Sequence, residues 1–217
     1  MNNKDWVGDS NSVYKTLGAS NHCDEDREEN DYYATDPDAL IALLTKEKFN
    51  HKIWEPAVGG GHLAQLLIDN GYIVRCSDIV DRGYPNTKII NFLNYDGFFN
   101  GDILTNPPYS KAIQFINKAM NILEEDKRLI MLLKVQFLEG GKRGILFEQY
   151  PPEKIYVFCD RVECAKNGEF LGGSAIAYAW FIWRKGFNGN TTIDWLWKDK
   201  SRYEKSKLDL EKELMKK

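Results

Sequence analysis

Residues 52–78 read KIWEPAVGGGHLAQLLIDNGYIVRCSD. The run starts with a short apolar strand, passes through three glycines at 59–61, and continues with leucines at helical spacing. A second apolar run follows Asn70-Gly71 and ends at Asp78. This order of strand, glycine-rich turn, helix and strand predicts a β-α-β unit, in which the two strands are parallel.

The glycine-rich turn indicates a ligand site, because glycines let the backbone approach a ligand closely. Asp78, at the end of the second strand, can accept two hydrogen bonds from a ribose diol. The turn lacks the Gly-x-Gly-x-x-Gly spacing of a dinucleotide site and the Lys-Ser/Thr pair of a phosphate-binding loop. The negative charge of Glu55 disfavours a phosphate ligand and suits a cationic one.

Strand and helix patterns alternate along the rest of the chain. We expect helices near 37–44, 63–70, 110–123 and 139–150, and strands near 52–54, 72–78, 88–93, 102–106, 128–135, 154–158, 175–183 and 192–197. Residues 128–135 are apolar on both faces, as in a central parallel strand, and residues 161–174 are predicted to form a loop. The alternation predicts an α/β sandwich around a mostly parallel sheet, and the last strands, which lack intervening helices, predict an antiparallel edge.

A second stretch, Asn106-Pro107-Pro108-Tyr109, follows the strand at 102–106. Two consecutive prolines donate no N–H and fit neither a strand nor a helix interior, so a rigid loop is expected. The Asn106 amide carbonyl and the Pro107 backbone carbonyl are two acceptors that suit a planar NH₂ group, and the Tyr109 ring can stack on a flat partner. The alternative is a tight strand-to-helix turn with a structural asparagine.

The 217 residues are predicted to form an N-terminal polar arm at 1–31, one domain at 32–197 and a charged C-terminal tail at 198–217. No apolar run approaches the roughly 20 residues of a membrane helix, and the N-terminus lacks a signal-peptide core. The four cysteines form no Cys-x-x-Cys pair, and the three histidines are irregularly spaced. We therefore expect a cytoplasmic protein with reduced thiols and without a metal ion or membrane contact.

The formal net charge of −3 gives no support for a nucleic-acid partner by itself. Acidic residues dominate the arm, and basic residues outnumber acidic ones in the tail. Any contact with DNA is therefore expected to come from a local basic patch.

Together these motifs resemble those of S-adenosylmethionine-dependent adenine-N6 DNA methyltransferases. Residues 106–109 match the catalytic motif of that family, residues 55–61 are similar to its cofactor motif, and Asp78 stands at the place of its second-strand acid. Residues 33–37, YATDP, resemble a segment ahead of the cofactor motif, so that the resemblance covers about residues 30–185. Three further stretches of the chain resemble a compact phage- and prophage-type subgroup of this family. They are TLGASNH at 16–22, FLEG at 137–140 with Arg143, and YAWF at 178–181.

The resemblance implies a Rossmann-like class I methyltransferase sandwich with an inserted antiparallel final strand, and S-adenosylmethionine as the cofactor. It implies that Asp78 holds the ribose hydroxyls. The other implied cofactor contacts are Glu55, Ala57, Gly59 and Gly61 on the methionine side, Asn91 and Phe92 near the adenine, and Tyr33, Thr35 and Pro37 closing over the cofactor. Asn91 replaces an acid that members often have there, and Asp36 stands where many members have proline.

The reaction that the resemblance implies is methyl transfer to the exocyclic N6 amine of adenine in DNA, with Asn106, Pro107, Pro108 and Tyr109 as the catalytic loop. Two acceptors on the amine localise its lone pair for in-line attack on the sulfonium methyl group. The base must leave the duplex, and Tyr109 would stack on one of its faces. Phe137 is a candidate for the other face or a core aromatic, and Lys142, Arg143 and Arg161 are candidates for phosphate contacts or solvated residues.

Alternatives remain open. The same tetrapeptide serves enzymes that methylate exocyclic amines in RNA or glutamine amides in proteins, although the latter carry a long N-terminal helical domain. A catalytically silent nucleic-acid-binding or cofactor-binding protein of the same fold is another alternative, whereas the missing glycine pattern disfavours a nicotinamide-linked enzyme. Since no separate target-recognition region is evident, we expect short or relaxed sequence specificity, or dependence on a dimer partner or on the arm.

Overall fold

The computed structural model describes residues 33–162, 164–166 and 176–215. The strands in these ranges are β1 (Tyr33–Thr35), β2 (Lys52–Glu55), β3 (Ile73–Asp78), β4 (Lys88–Ile89), β5 (Asp102–Thr105), β6 (Arg128–Lys134), β7 (Lys154–Phe158), β8 (Cys164–Lys166), β9 (Tyr178–Arg184) and β10 (Thr192–Leu196). The helices are α1 (Pro37–Leu44), α2 (His62–Asp69), α3 (Ala112–Ile122), α4 (Gly141–Gln149) and α5 (Lys200–Leu214).

Eight of these strands form one sheet in the order β10-β7-β9-β6-β5-β2-β3-β4. All neighbours pair in parallel except β9, which is inserted antiparallel between β6 and β7. From β2 the chain moves outward to β3 and β4 and then returns to β5 on the other side of β2. The border between β2 and β5 is therefore a topological switch point, where ligands bind in open α/β sheets. The predicted fold class is confirmed.

Apolar clusters cover both faces of the sheet, because side chains alternate between the faces along each strand. One cluster includes Trp54, Ile116 and Phe181, and the other includes Leu40 and Trp180. Burying one such side chain fully stabilises a protein by about 1.5–3 kcal/mol. Helices α3 and α4 contribute to the first cluster and α1 and α2 to the second, so the sheet lies between two helical layers.

The strand predicted over 88–93 was wrong in its second half, since β4 ends at Ile89. The side chain of Asn91 accepts a hydrogen bond from the Leu93 N–H at 3.0 Å and starts a 3₁₀ turn at Phe92–Asn94. An asparagine that bonds the backbone two residues on competes with strand pairing.

Two other local predictions were also wrong. The helix predicted near 110–123 begins later, at Ala112, because Ser110 lies inside a 3₁₀ turn, Tyr109–Lys111, that precedes it. The loop predicted over 161–174 contains β8, which pairs antiparallel with β1. Residues 163 and 167–174 of that prediction lie outside the described residues.

The predicted polar arm at 1–31, with the motif at 16–22, also lies outside the described residues. In the predicted tail, α5 begins after Asp199, whose carboxylate accepts a hydrogen bond from the Ser201 N–H at 2.8 Å. The side chains of α5 are exposed. The boundaries of the three segments stay predictions. Within the part of the chain that the structure describes, no helix is long and apolar enough to cross a membrane.

Candidate functional site

The candidate site lies at the carboxyl edge of the sheet, beside the switch point. Strand β2 ends at Glu55, β3 ends at Asp78, and Asn106 follows β5 directly. Because parallel strands end at the same edge, these polar side chains converge. All three line one cavity of about 480 Å³, a size typical of small-molecule sites.

Nine of the eighteen site residues predicted from the sequence line this cavity. Of the implied cofactor residues, Thr35, Glu55, Ala57, Asp78, Asn91 and Phe92 line it, and of the catalytic loop, Asn106, Pro107 and Pro108 do so. The sequence reasoning missed Ala34, Pro56, Val58, His62, Leu63, Ile79, Arg82, Ile90, Leu93, Ser110, Lys111 and Phe115. Ile79 could have been selected from the sequence, because it directly follows Asp78, the acid that ends β3.

The glycine-rich turn is shaped by hydrogen bonds to Asp78. The Gly59 N–H donates to Asp78 Oδ2 at 2.8 Å, and the Val80 N–H donates to Oδ1 at 3.1 Å. Gly61 has a φ of +83°, and a Cβ added there would lie 2.0 Å from Cδ2 of Tyr84. Gly59 and Gly61 do not line the cavity themselves, but they allow the turn to close against the Asp78 carboxylate and the Tyr84 ring.

The carboxyl group of Glu55 is the most strongly perturbed acid at this edge. Burial, followed by the nearby Asp78 carboxylate, raises the pKa of Glu55 well above its usual range. The Ala64 N–H donates a hydrogen bond to this carboxyl group, and this bond lowers the pKa of Glu55 but does not offset the other two effects. Glu55 Oε2 is buried and has no hydrogen-bond partner among the described residues. A cation in the cavity would satisfy this oxygen.

The Asn106 loop is held by the small two-stranded sheet of β1 and β8. Asn106 Nδ2 donates a hydrogen bond to Thr35 Oγ1 at 2.9 Å and contacts Cys164 Sγ at 3.9 Å. The hydroxyl of Tyr109 lies 3.4 Å from the same sulfur. Both ends of the tetrapeptide are therefore tied to β8, a strand that the sequence did not predict.

The ring of Tyr109 does not line the cavity. It lies 5.1 Å from the Lys134 ammonium group and 6.1 Å from the Tyr178 ring. Burial, with contributions from Cys164 and Tyr178, raises the pKa of Tyr109 well above its usual range. The phenol is therefore neutral at physiological pH and acts as a hydrogen-bonding group.

Five other predicted residues do not line the cavity: Pro37, Phe137, Lys142, Arg143 and Arg161. The backbone of Tyr33 pairs with Lys166 in the small sheet, and Pro37 is the first residue of α1. Phe137 is 8% exposed and packs edge-on against the buried Phe181 and the half-buried Phe147, as expected of a core aromatic.

Of the candidates for phosphate contacts, Lys142 and Arg161 are exposed. Arg143 donates from Nε to the Glu139 carbonyl and lies 5.4 Å from the centre of the Phe137 ring. Their contacts with phosphates stay predictions. No cluster of three or more His, Cys, Asp or Glu side chains suited to a metal ion occurs in residues 33–162, 164–166 and 176–215.

No protein-family model matches the chain, and no curated protein matches it. Solved structures do match. A proposed class I S-adenosylmethionine-dependent methyltransferase from Listeria monocytogenes has 13% identity and a TM-score of 0.54, with 86% of this chain and 72% of that chain covered. The methyltransferase subunit of a type I restriction-modification system from Streptococcus thermophilus has 13% identity and a TM-score of 0.55. A proposed RNA methyltransferase from Pyrococcus horikoshii has 11% identity and a TM-score of 0.50.

The coverage of these structures differs. The match to the Streptococcus subunit covers 77% of this chain but only 48% of that one, and the match to the Pyrococcus protein covers 82% of this chain and 100% of that one. At such low identity the likeness concerns the fold. Together with the strand order and the single inserted antiparallel strand, it shows that the chain has the Rossmann-like fold of the class I methyltransferases.

Proposed function

We propose that this protein is a methyltransferase that transfers the methyl group of S-adenosylmethionine to the exocyclic N6 amine of adenine in DNA. The observation that carries the proposal is that Asn106-Pro107-Pro108 and the two acids Glu55 and Asp78 line the same cavity. One part of the cavity thus offers acceptors for a planar amine, and another offers carboxylates for a cationic, ribose-containing cofactor.

The residues present fit S-adenosylmethionine. Its sulfonium and ammonium groups are positive, and the buried oxygen of Glu55 favours a positive neighbour. Asp78 presents a carboxylate beside the glycine-rich turn, where a ribose diol can donate to it. The apolar side chains of Ile79, Phe92 and Phe115 suit an adenine ring. When bound, the cofactor supplies an electrophilic methyl group.

The catalytic loop acts by positioning. The lone pair of an exocyclic amine is delocalised into the ring, so the amine is a poor nucleophile. The Asn106 side-chain carbonyl and the Pro107 backbone carbonyl accept its two N–H groups and localise the lone pair on nitrogen. The loop also holds the amine against the cofactor. The two reactants then do not have to meet by diffusion, which lowers the entropic part of the reaction barrier. No covalent intermediate with the protein is required.

DNA is the substrate that the motif resemblance favours, and the similarity in fold to a restriction-modification subunit supports it. The proposed RNA methyltransferase among the similar structures keeps RNA as the second candidate. Since a base within a duplex cannot reach the loop, the target adenine is flipped out. Lys111 is exposed and lines the cavity, which supports it as a contact for the backbone phosphates.

The test is transfer of labelled methyl from S-adenosylmethionine to unmethylated DNA and, in parallel, to unmethylated RNA, followed by digestion and identification of the methylated base. We expect N6-methyladenine in DNA with the wild-type protein and none with Asn106→Ala. Asn188→Ala, at an exposed position outside the cavity, serves as the matched control and should keep full activity. Label in RNA alone would show that the substrate is RNA and not DNA. Absence of S-adenosylmethionine binding would overturn the proposal.

A further inference from the structure

Thr35 and Cys164 are directly opposite each other in the antiparallel pairing of β1 with β8. Both side chains contact the same atom, Nδ2 of Asn106, the first at 2.9 Å and the second at 3.9 Å. Thr35 lies 71 positions before Asn106 in the sequence, and Cys164 lies 58 positions after it. The two strands therefore converge on the amide of the catalytic loop from outside the main sheet.

An asparagine amide has two chemically different ends, an NH₂ group that donates and a carbonyl oxygen that accepts. Rotation by half a turn about its last side-chain bond exchanges them. With its NH₂ group toward the substrate, Asn106 would place a donor against the N–H groups of the amine, and the hydrogen bonds of the reaction could not form. An active loop thus requires something that fixes the amide in one orientation.

We propose that Thr35 and Cys164 are positioning residues that hold the Asn106 amide with its carbonyl oxygen available to the target amine. This inference rests on the proposed function. The Thr35 hydroxyl and the Cys164 sulfur accept from the NH₂ group in this orientation. In an amide turned the other way, the carbonyl oxygen would face these two groups and accept from the Thr35 hydroxyl, so it would not be available to the target amine. Thr35 is 3% exposed and lies in a strand, so its hydroxyl stays in place without substrate. The sulfur is a weaker and longer-range acceptor, so Thr35 has the larger effect.

This role differs from that of a cofactor contact. A residue that only binds the cofactor changes the affinity for S-adenosylmethionine, whereas a residue that acts through Asn106 changes the rate of the chemical step. Thr35→Val removes the hydroxyl and keeps the shape and the β-branched side chain, which suits a strand. Thr35→Ser keeps the hydroxyl and is the conservative rescue.

The kinetic experiment compares Thr35→Val, Thr35→Ser and Cys164→Ala with the wild-type protein. We expect Thr35→Val to lower kcat about tenfold, with the dissociation constant for S-adenosylmethionine within about twofold of wild type. Thr35→Ser should retain most of kcat, and Cys164→Ala should cause a smaller loss than Thr35→Val. An unchanged kcat, or a loss confined to cofactor affinity, would overturn the inference.

A second readout does not depend on activity. The side-chain NH₂ resonances of Asn106 in ¹⁵N–¹H spectra, assigned with Asn106→Ala, report the hydrogen bonds of that group in the substrate-free protein. We expect Thr35→Val to shift these resonances and to speed their exchange with water, and Thr35→Ser to restore them. Unaltered resonances in Thr35→Val would overturn the orienting contact. If the wild-type protein methylates no nucleic acid, the proposed function is overturned. The NH₂ resonances would still show whether Thr35 holds the Asn106 amide in this orientation.

Discussion

Glu55 and Asp78, the last residues of the neighbouring strands β2 and β3, bring two acids to one cavity, and both are almost completely buried. Burial, and secondly the charge of Asp78, raises the pKa of Glu55 well above its usual range. In the ligand-free protein the Glu55 carboxyl group therefore favours its protonated form, and a cationic ligand competes with that proton.

The affinity for S-adenosylmethionine should increase as the pH rises through the raised pKa of Glu55. A cation favours the ionised carboxylate, so binding lowers the Glu55 pKa and releases a proton. Calorimetric titrations in two buffers of different ionisation enthalpy measure this release. In Glu55→Gln the release should vanish, and the affinity should fall about tenfold or more. Equal enthalpies in the two buffers for wild-type protein would contradict this assignment.

Glu55→Gln should also stabilise the ligand-free protein above acid pH. A carboxyl group whose pKa is raised on folding contributes stability below its unfolded pKa, near 4.5, and that stability is lost as the pH rises through the folded pKa. Glutamine keeps the shape without the charge, so the variant should gain about 1–3 kcal/mol at pH 8. The difference should shrink towards pH 4. Urea unfolding at both pH values provides the measurement, and a less stable variant at pH 8 would disprove the argument.

Asp78→Ala should damage both the turn and the cofactor site. The N–H groups of Gly59 and Val80 would lose their acceptor, which costs about 1–3 kcal/mol in the free energy of unfolding. Loss of the proposed ribose contacts should weaken S-adenosylmethionine binding at least tenfold. Asp81→Ala, which removes an exposed acceptor of the Gly83 N–H in the same loop, is the matched control. It should change stability by about 0.5 kcal/mol or less and leave binding intact.

Gly61 and Gly71 form a natural pair for testing the turn, because their φ angles are +83° and +85°. Alanine at Gly71 meets no atom within 4 Å, so it should cost only the left-handed strain of about 1–2 kcal/mol. Alanine at Gly61 must also displace the Tyr84 ring, so its loss of stability and of cofactor affinity should be larger. Tyr84→Ala in the Gly61→Ala background should recover part of the affinity. Equal unfolding free energies for the two alanine variants would refute this role of Tyr84.

The main sheet was predictable because its strands carry local signals. Residues 128–135 are apolar on both faces, and β6 is buried as a central strand. The acids at Glu55 and Asp78 could be placed together, since parallel strands end at one edge. Trp180 and Trp183, which lie in the strand predicted at 175–183, are 0% and 1% exposed.

The small sheet could not be predicted from local pattern. Strand β8 has only three residues, Cys164–Lys166, and its partner β1 lies about 130 positions earlier. Short strands of mixed polarity carry no alternation that distinguishes them from a loop. For the same reason the contact of Asn106 with Thr35 was not foreseen, although both residues had been selected from the motifs. Phe115 lines the cavity from α3, and no spacing rule relates this helix to the cavity.

The insertion of β9 between β6 and β7 has a consequence for synthesis of the chain. Strands β2, β3, β5 and β6 are contiguous in the sheet and are complete once Lys134 has been made. Strand β7, in contrast, has no neighbour in the sheet until β9 and β10 follow. On the ribosome, the edge that carries Glu55 and Asp78 is therefore expected to form first. Strand β8, which contacts the Asn106 side chain, emerges only just before β9. A nascent chain would thus form the proposed cofactor site before it forms the contacts that hold the Asn106 loop.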